Sequence, residues 1–247
     1  MRYAVVSDIH SNYEALSAFL DYIKINPVDS IISCGDIIGY GASPHECIEK
    51  VMGVANFRSI MGNHDAVAAG KIKSEGFNQE ALAAIDINIA LLTPGDLDFL
   101  KKLPESISEN DILFVHGSPR AKITEYLFLM DKFKENIRLF NESVCFVGHT
   151  HHPLVYQYET GSGKDTCMNI EDDSEVFTLS PVKKYIVNVG AIGQPRDNKA
   201  SLCCVFYDTK SRTLSFKRIA YDVKTAQQKM RAAKLPEGLI TRLAIGY

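Results

Sequence analysis

Met1-Arg2-Tyr3-Ala4-Val5-Val6-Ser7-Asp8-Ile9-His10 reads as a short apolar strand that runs directly into two residues able to bind a metal. Behind it, Ser11-Asn12-Tyr13-Glu14 has the spacing of a capping box. Leu16, Phe19, Leu20 and Ile23 then come at i, i+3, i+4 and i+7 until Asn26-Pro27 closes the helix. Ser30 to Cys34 is again a strand, ending in Gly35-Asp36. A strand, a helix and a strand whose apolar residues are nearly continuous describe a sheet covered on both faces.

The alternation continues through the first 150 residues. Phe57 to Met61, Ile112 to His116 and Val144 to Gly148 read as strands. Ser43-Pro44-His45-Glu46 opens a second helix with Pro at its first position. Phe77 to Leu103 reads as helical with a break at Thr93-Pro94-Gly95, and Thr124 to Phe140 as a further helix, both where crossovers belong. From residue 153 the pattern turns to strands at Leu154 to Tyr158, Val176 to Leu179, Tyr185 to Val189, Leu202 to Asp208 and Thr213 to Ile219, before a helix near Val223 to Lys234. No Pro-, Gly- or Ser-rich linker interrupts the chain. The expectation is therefore one domain over residues 1–247, with an α/β half (1–152), a β-rich half (153–220) packing on it as a second sheet, and a C-terminal helix and tail (221–247).

The polar Glu159 to Glu175 is the exception, expected as an exposed hairpin tip or loop. Its Gly161-Ser162-Gly163-Lys164 is not a phosphate loop: that spacing requires Gly at 158, which is Tyr, and Ser or Thr at 165, which is Asp.

Composition narrows the function classes. With 46% apolar residues in 247, the chain can bury a substantial core, which excludes a disordered or fibrous protein. Twenty-seven Lys and Arg against 30 Asp and Glu leave a net charge of -3, without the basic excess of a protein held to a nucleic-acid backbone. No apolar run approaches the roughly 18 to 20 residues of a membrane span, and no signal peptide is read at the N-terminus. The six cysteines form no CxxC, and Cys203-Cys204 would point to opposite faces of a strand, so buried free thiols in a cytoplasmic chain are expected.

The residues directly after each strand carry the chemistry. The first strand ends in Asp8-Ile9-His10, the second in Gly35-Asp36, the third in Gly62-Asn63-His64-Asp65, the fourth in His116-Gly117 and the fifth in Gly148-His149-Thr150-His151. Any one of these could be a helix entry or a tight turn. Together they place five of the seven histidines where open α/β sheets hold their sites. Imidazole with carboxylate suits Mn, Fe, Zn or Ni better than Mg or Ca. Two Asp, one Asn and four His are too many ligands for one ion but fit two ions about 3.5–4 Å apart that share a carboxylate. Two divalent ions against two carboxylates leave a positive site for a hydroxide and an anionic ester, which selects phosphate chemistry.

The ordered set Asp-x-His, Gly-Asp, Gly-Asn-His-Asp, His-Gly and Gly-His-x-His resembles the calcineurin-like metallophosphoesterase family over about residues 1 to 220. The resemblance implies a four-layer α/β/β/α sandwich with two mixed β-sheets and a dinuclear centre at the strand ends. By it, Asp8, His10 and His151 bind one metal, Asn63, His116 and His149 the second, and Asp36 bridges them. Mn²⁺ is the first choice, with Fe, Zn or Ni as alternatives. The implied mechanism is in-line attack on phosphorus by a metal-bridging hydroxide. His64 would act as acid toward the leaving oxygen, with Asp65 holding its orientation. Arg120 and Arg196 are candidate phosphate readers because the guanidinium fork matches phosphate oxygens, and Asn188 to Asp197 resembles a stretch of small prokaryotic members. His45 and His152 are read as structural.

Within the family, Gly35-Asp36-Ile37-Ile38-Gly39-Tyr40-Gly41 lacks the Arg that Ser/Thr protein phosphatases carry after this motif. The chain looks more like the compact bacterial and archaeal phosphodiesterases and phosphatases, acting on a small-molecule phosphate ester. Alternatives are a protein Ser/Thr phosphatase, a nuclease, or a weakly catalytic metal-binding scaffold, although the family's retromer scaffold lacks the counterpart of His64. Ala66 to Gly76, Pro119 to Tyr126 and Glu159 to Glu175 are candidate cleft walls, and exposed sheet edges make a homodimer reasonable.

Overall fold

A computed structural model describes residues 1–171 and 176–247. The first βαβ units are β1 (Arg2–Val6), α1 (Tyr13–Ile25), β2 (Ser30–Ser33), α2 (Pro44–Met52) and β3 (Phe57–Ser59). Next come α3 (Asn63–Ala68), α4 (Gln79–Leu91), α5 (Pro94–Lys102), β4 (Ser106–Glu109), β5 (Ile112–Val115), α6 (Met130–Asn136) and β6 (Val144–Val147). The remaining strands are β7 (Leu154–Glu159), β8 (Asp165–Asn169), β9 (Val176–Thr178), β10 (Lys183–Asn188), β11 (Leu202–Asp208) and β12 (Thr213–Ile219), with α7 (Val223–Ala232) and α8 (Glu237–Arg242) after them.

The strands form two six-stranded mixed sheets, ordered β3-β2-β1-β11-β12-β9 and β4-β5-β6-β10-β7-β8. Strand periodicity explains the layers. Tyr3 and Val5 enter the core between the sheets while Ala4 and Val6 face the helices, and Cys203 and Cys204 divide the same way. The inter-sheet core stacks Phe114 on Phe146 with centroids 5.5 Å apart. Outside the first sheet lie α1 and α2, and outside the second Phe133 of α6 packs against Tyr156. This is the expected four-layer sandwich.

The course of the second half differs from the sequence expectation. Its strands do not form a sheet of their own: β11 inserts beside β1, while β10 extends β6 in parallel. Alternation of apolar residues identifies a strand but not its neighbour, so this partition is set by tertiary packing. Helix α6 is far shorter than Thr124 to Phe140, because residues 124–129 run as a loop stapled to α6 by Glu125. The first cap is Asn12, whose side chain accepts from the Ala15 N–H, and Ser11 instead donates to Asn88. Ser43 starts α2 without a side-chain cap. In the polar segment, β8 pairs with β7 as a hairpin; Asp172, Asp173 and Glu175 lie outside the described residues. Five cysteines are buried and Cys167 is half-buried, all as free thiols. Among the described residues, no helix is long and apolar enough to cross a membrane.

Strands β1, β2 and β3 are mutually parallel, as are β5, β6 and β10. The C-terminal end of every one of them therefore leads toward the site. Truncating Phe114 to Ala should cost about 3–5 kcal/mol, the usual result of emptying a buried aromatic site. Denaturant unfolding measures this, and a loss below about 1 kcal/mol would show that the inter-sheet layer closes up around the gap.

Candidate metal centre

The turn after each parallel strand is bent so that ligands from successive positions converge. Asp8, His10, Asp36, His149 and His151 all have left-handed backbone, with φ between 49° and 66°, a conformation sparsely used by residues other than Gly, Asn and Asp. The turns also approach one another closely here, between the sheets at Gly148 and within the first sheet at Gly62. A Cβ on Gly148 would lie 1.9 Å from Ser7 Oγ and one on Gly62 would lie 2.0 Å from Asp36 Oδ1, so only glycine fits before either ligand.

Two nests of donor atoms result. In the first, His10 Nε2 lies 3.1 Å from His151 Nε2, and Asp8 Oδ1 is 3.4 Å and 3.2 Å from them. In the second, His116 Nε2 lies 2.9 Å from Asn63 Oδ1 and 3.0 Å from His149 Nδ1. Asp36 joins them, with Oδ2 3.3 Å from His116 Nε2 and 3.8 Å from His10 Nε2. All seven residues are buried.

The outer nitrogen of each imidazole fixes its tautomer. His10 Nδ1 donates to the Ile38 carbonyl (3.0 Å), His116 Nδ1 to Cys34 (2.8 Å), His151 Nδ1 to Gln194 (2.5 Å) and His149 Nε2 to Thr124 (3.3 Å). A carbonyl only accepts, so each of these nitrogens carries a proton, and whenever the ring is neutral its inward nitrogen presents a lone pair. Ring nitrogens turned toward each other at about 3 Å, beside an Asp8 Oδ1 with no hydrogen-bond partner, form a donor set suited to a cation. The donors match divalent metal chemistry at bond lengths of about 2.0–2.2 Å.

The same crowding sets the proton affinities. Burial alone would raise Asp8, but His151 and His10 hold its carboxyl well below the usual range. Burial is likewise outweighed at Asp36 by His116 and His64. Burial, with the charges of Arg196 and His10, pushes His151 down to about 3. Burial and neighbouring His116 push His149 well down. His116 is the exception: against burial, the Asp36 carboxylate carries it up to about 9.

Residues 1–212 match the calcineurin-like phosphoesterase superfamily domain. The chain belongs to this superfamily. A metallophosphoesterase from Sphaerobacter thermophilus is 38% identical, with all of both chains covered and a TM-score of 0.88. An uncharacterised protein of Methanocaldococcus jannaschii is 38% identical over 98% of this chain and 97% of its own. A hypothetical protein from Pyrococcus horikoshii, 20% identical, shares the fold at a TM-score of 0.81 over 100% and 98% of the two chains. Family and buried His/Asp clusters together indicate divalent metal binding and fit a metal-dependent phosphoester hydrolase.

Within this calcineurin-like centre, His64 lies beside His10, Tyr40 and Phe77, with ring centroids 4.9, 4.6 and 4.8 Å away. It is buried, its Nδ1 has no hydrogen-bond partner, and burial pushes it down to about 3. Asp65 corrects the sequence expectation: it does not hold His64. Standing at the third position of α3, it points back along the helix and accepts from the N–H groups of Gly62, Asp36, Ile37 and Ile38. It therefore positions the turn that carries Asp36, and burial beside that carboxylate raises it to about 6.

Arg120 is not brought to the cluster; it pairs with Glu125 and Glu135 at the surface. Arg196 does reach the site, over the Tyr40 ring at 5.6 Å. His45 pairs with Asp96, and His152 hydrogen-bonds the Thr150 carbonyl. Of the three candidate walls, the first two line the cleft through Ile72, Lys73, Thr124 and Tyr126, whereas no residue of 159–171 lines it.

Sequence reasoning missed Asn88 and Arg242, and it placed Tyr126 in a candidate wall without giving it a role. Asn88, within α4, accepts from Ser11 Oγ and the Gly39 N–H and donates to the Gly41 carbonyl, pinning the loop around Tyr40. A buried Asn at a helical apolar position was its signal. Tyr126 stacks on His149 at 3.7 Å.

Asp36→Asn should empty or cripple both metal positions, read as metal per chain after gel filtration; retention of two tightly held ions would remove Asp36 from the shared position. Glu125 anchors the wall that carries Thr124 and Tyr126. Burial raises it, but hydrogen bonds from Arg120, Ser118 and Asn136 bring it from 4.5 down to about 2. The folded state thus binds this proton less readily than the unfolded one, a contribution present above about pH 4.5 and lost as pH falls toward 2. Glu125→Gln should melt below its parent at pH 7, and the gap should close across that acid window.

Proposed function

We propose that this chain hydrolyses small-molecule phosphate esters with two divalent ions, Mn²⁺ foremost. Asp8, His10 and His151 would hold one, Asn63, His116 and His149 the other, and Asp36 both. The observation that carries this reading is the pair of nests facing one another across Asp36, with the outward nitrogen of each of the four ligand imidazoles hydrogen-bonded to a backbone carbonyl. When bound, two such ions supply Lewis acidity to the phosphoryl oxygens and lower the pKa of the attacking water.

The chain's own residues do the rest. His149, stacked under Tyr126, and His10, edge-on to Tyr40, are held rigid so that the donor set needs no rearrangement as charge develops. His64 borders the cleft beside Asn63. Burial keeps it neutral near pH 7, so it enters as an N–H donor to the leaving oxygen. Proximity of the anionic ester and of Asp36 raises its proton affinity, so that with substrate present the ring takes up a second proton from solvent and can pass it to the leaving oxygen as the P–O bond breaks. Phe77, packed on the His64 ring, covers one side of it.

Hydrolysis of bis-p-nitrophenyl phosphate and p-nitrophenyl phosphate, in chelator and in added Mn²⁺, tests the proposal. Turnover should require metal, and His64→Ala should keep its metal content while kcat drops by about 10²- to 10⁴-fold. Silence toward both esters in a protein holding two ions would favour a binding scaffold.

A further inference from the structure

Beside the ligand cluster the cleft divides into two lobes, both bordered by Asn63, Gly76, Phe77 and Tyr126. The wider lobe, about 490 Å³, carries one charge of each sign, Lys73 and Glu75. The narrower, about 180 Å³, has His64 on one wall and two arginines, Arg196 and Arg242, on another.

These arginines differ from two others of the chain that lie away from the cleft. Arg120 is satisfied by Glu125 and Glu135, and Arg218 by Asp197. Among the described residues, neither Arg196 nor Arg242 pairs with an Asp or Glu side chain. Arg196 Nη2 donates to Gln194 Oε1 at 2.9 Å while its Nε is buried without a partner. Arg242 Nε donates to a main-chain oxygen of Tyr247, the last residue of the sequence, and among the described residues no bond is recorded to its two Nη atoms. Burial, and then the charge of Arg196, lower the proton affinity of Arg242, with Glu80 acting in the opposite sense. Two partly desolvated like charges on one wall cost stability unless an anion joins them.

We propose that Arg196 and Arg242 form a subsite for a second phosphoryl group, so that the preferred substrates are organic phosphates bearing two phosphoryl groups. One sits at the metal-ligand cluster, the other on the arginine pair, and the organic remainder occupies the wider lobe. Two guanidinium charges balance a phosphate dianion, whereas one carboxylate would leave one of them unmatched. The subsite rests on the hydrolase reading above for the first phosphoryl group, but its arginines come from different places: Arg196 from the loop after β10, whose Gln194 carbonyl also fixes His151, and Arg242 from α8, beyond the residues that match the family domain.

Calorimetric titration of the metal-loaded protein with methylenediphosphonate and with methylphosphonate tests this. Arg242→Gln should weaken the diphosphonate by about 10- to 100-fold, the loss of one or two charge-assisted hydrogen bonds, and methylphosphonate by under about three-fold. Arg242→Lys should recover part of the difference. Chelation of the ions by the diphosphonate is common to all variants and cancels in the ratio. Equal weakening of both ligands, or of neither, overturns the subsite. Should Arg242→Gln lose its folded spectrum, Arg196→Gln carries the same comparison. Hydrolysis of bis-p-nitrophenyl phosphate, run alongside, separates the two readings. Turnover with diphosphonate binding indifferent to both arginines removes the subsite alone. Arginine-dependent binding without any turnover keeps the subsite and removes the hydrolase.

Discussion

Two carboxylates and four imidazoles share one buried volume, and the rest of the molecule is arranged around the cost of keeping them there. Burial opposes charge on Asp8 and Asp36, and the surrounding histidines offset it. The outward N–H of each of the four imidazoles is spoken for by a backbone carbonyl, so rings cannot turn to relieve the crowding. Left-handed turns at five ligands store local backbone strain, of order 1 kcal/mol or more each, which the ladders of β1, β2 and β6 hold in place.

The two sheets divide the labour. Asp8, His10, Asp36 and Asn63 come after strands of one, while His116, His149 and His151 come after strands of the other. Each nest draws from both. The Asp8 carboxylate itself ties the sheets, since its Oδ2 accepts the His149 N–H at 3.0 Å. Inter-sheet packing and site geometry are consequently one problem: a shift of one sheet against the other by an ångström would spoil both nests while leaving every strand intact.

Much of this was legible in the residues. Apolar runs ending in ligand-type side chains located both the strands and the cluster, because a tight turn or helix entry accounts for one such ending but not for five in succession. What escaped was decided by tertiary contact. Ser11 has a cap-like spacing, yet Asn88 claims its hydroxyl. Asp65 is next to His64 in sequence, but its place at the third position of a helix aims it at the Asp36 turn instead. The polar strands β4 and β8 lack an apolar rhythm because they lie at the edge of their sheet. Arg242 sits in a short helix whose approach to the cleft depends on α7 and α8 packing beside Tyr40, which no local pattern reports.

The pairing of Val5 with Val205 at the centre of the first sheet also has a bearing on biosynthesis. At roughly 5–20 residues per second, a ribosome needs roughly 10–40 s to make the roughly 200 residues between them. Throughout that interval one edge of β1 lacks its neighbour. The turn after β1 is likewise unsupported, because Ser7 and Asp8 carbonyls await the N–H groups of Ile192 and Gly193. Ion capture in native geometry therefore belongs to the nearly finished chain, and a nascent chain would meet the cellular metal pool with its ligands still unassembled.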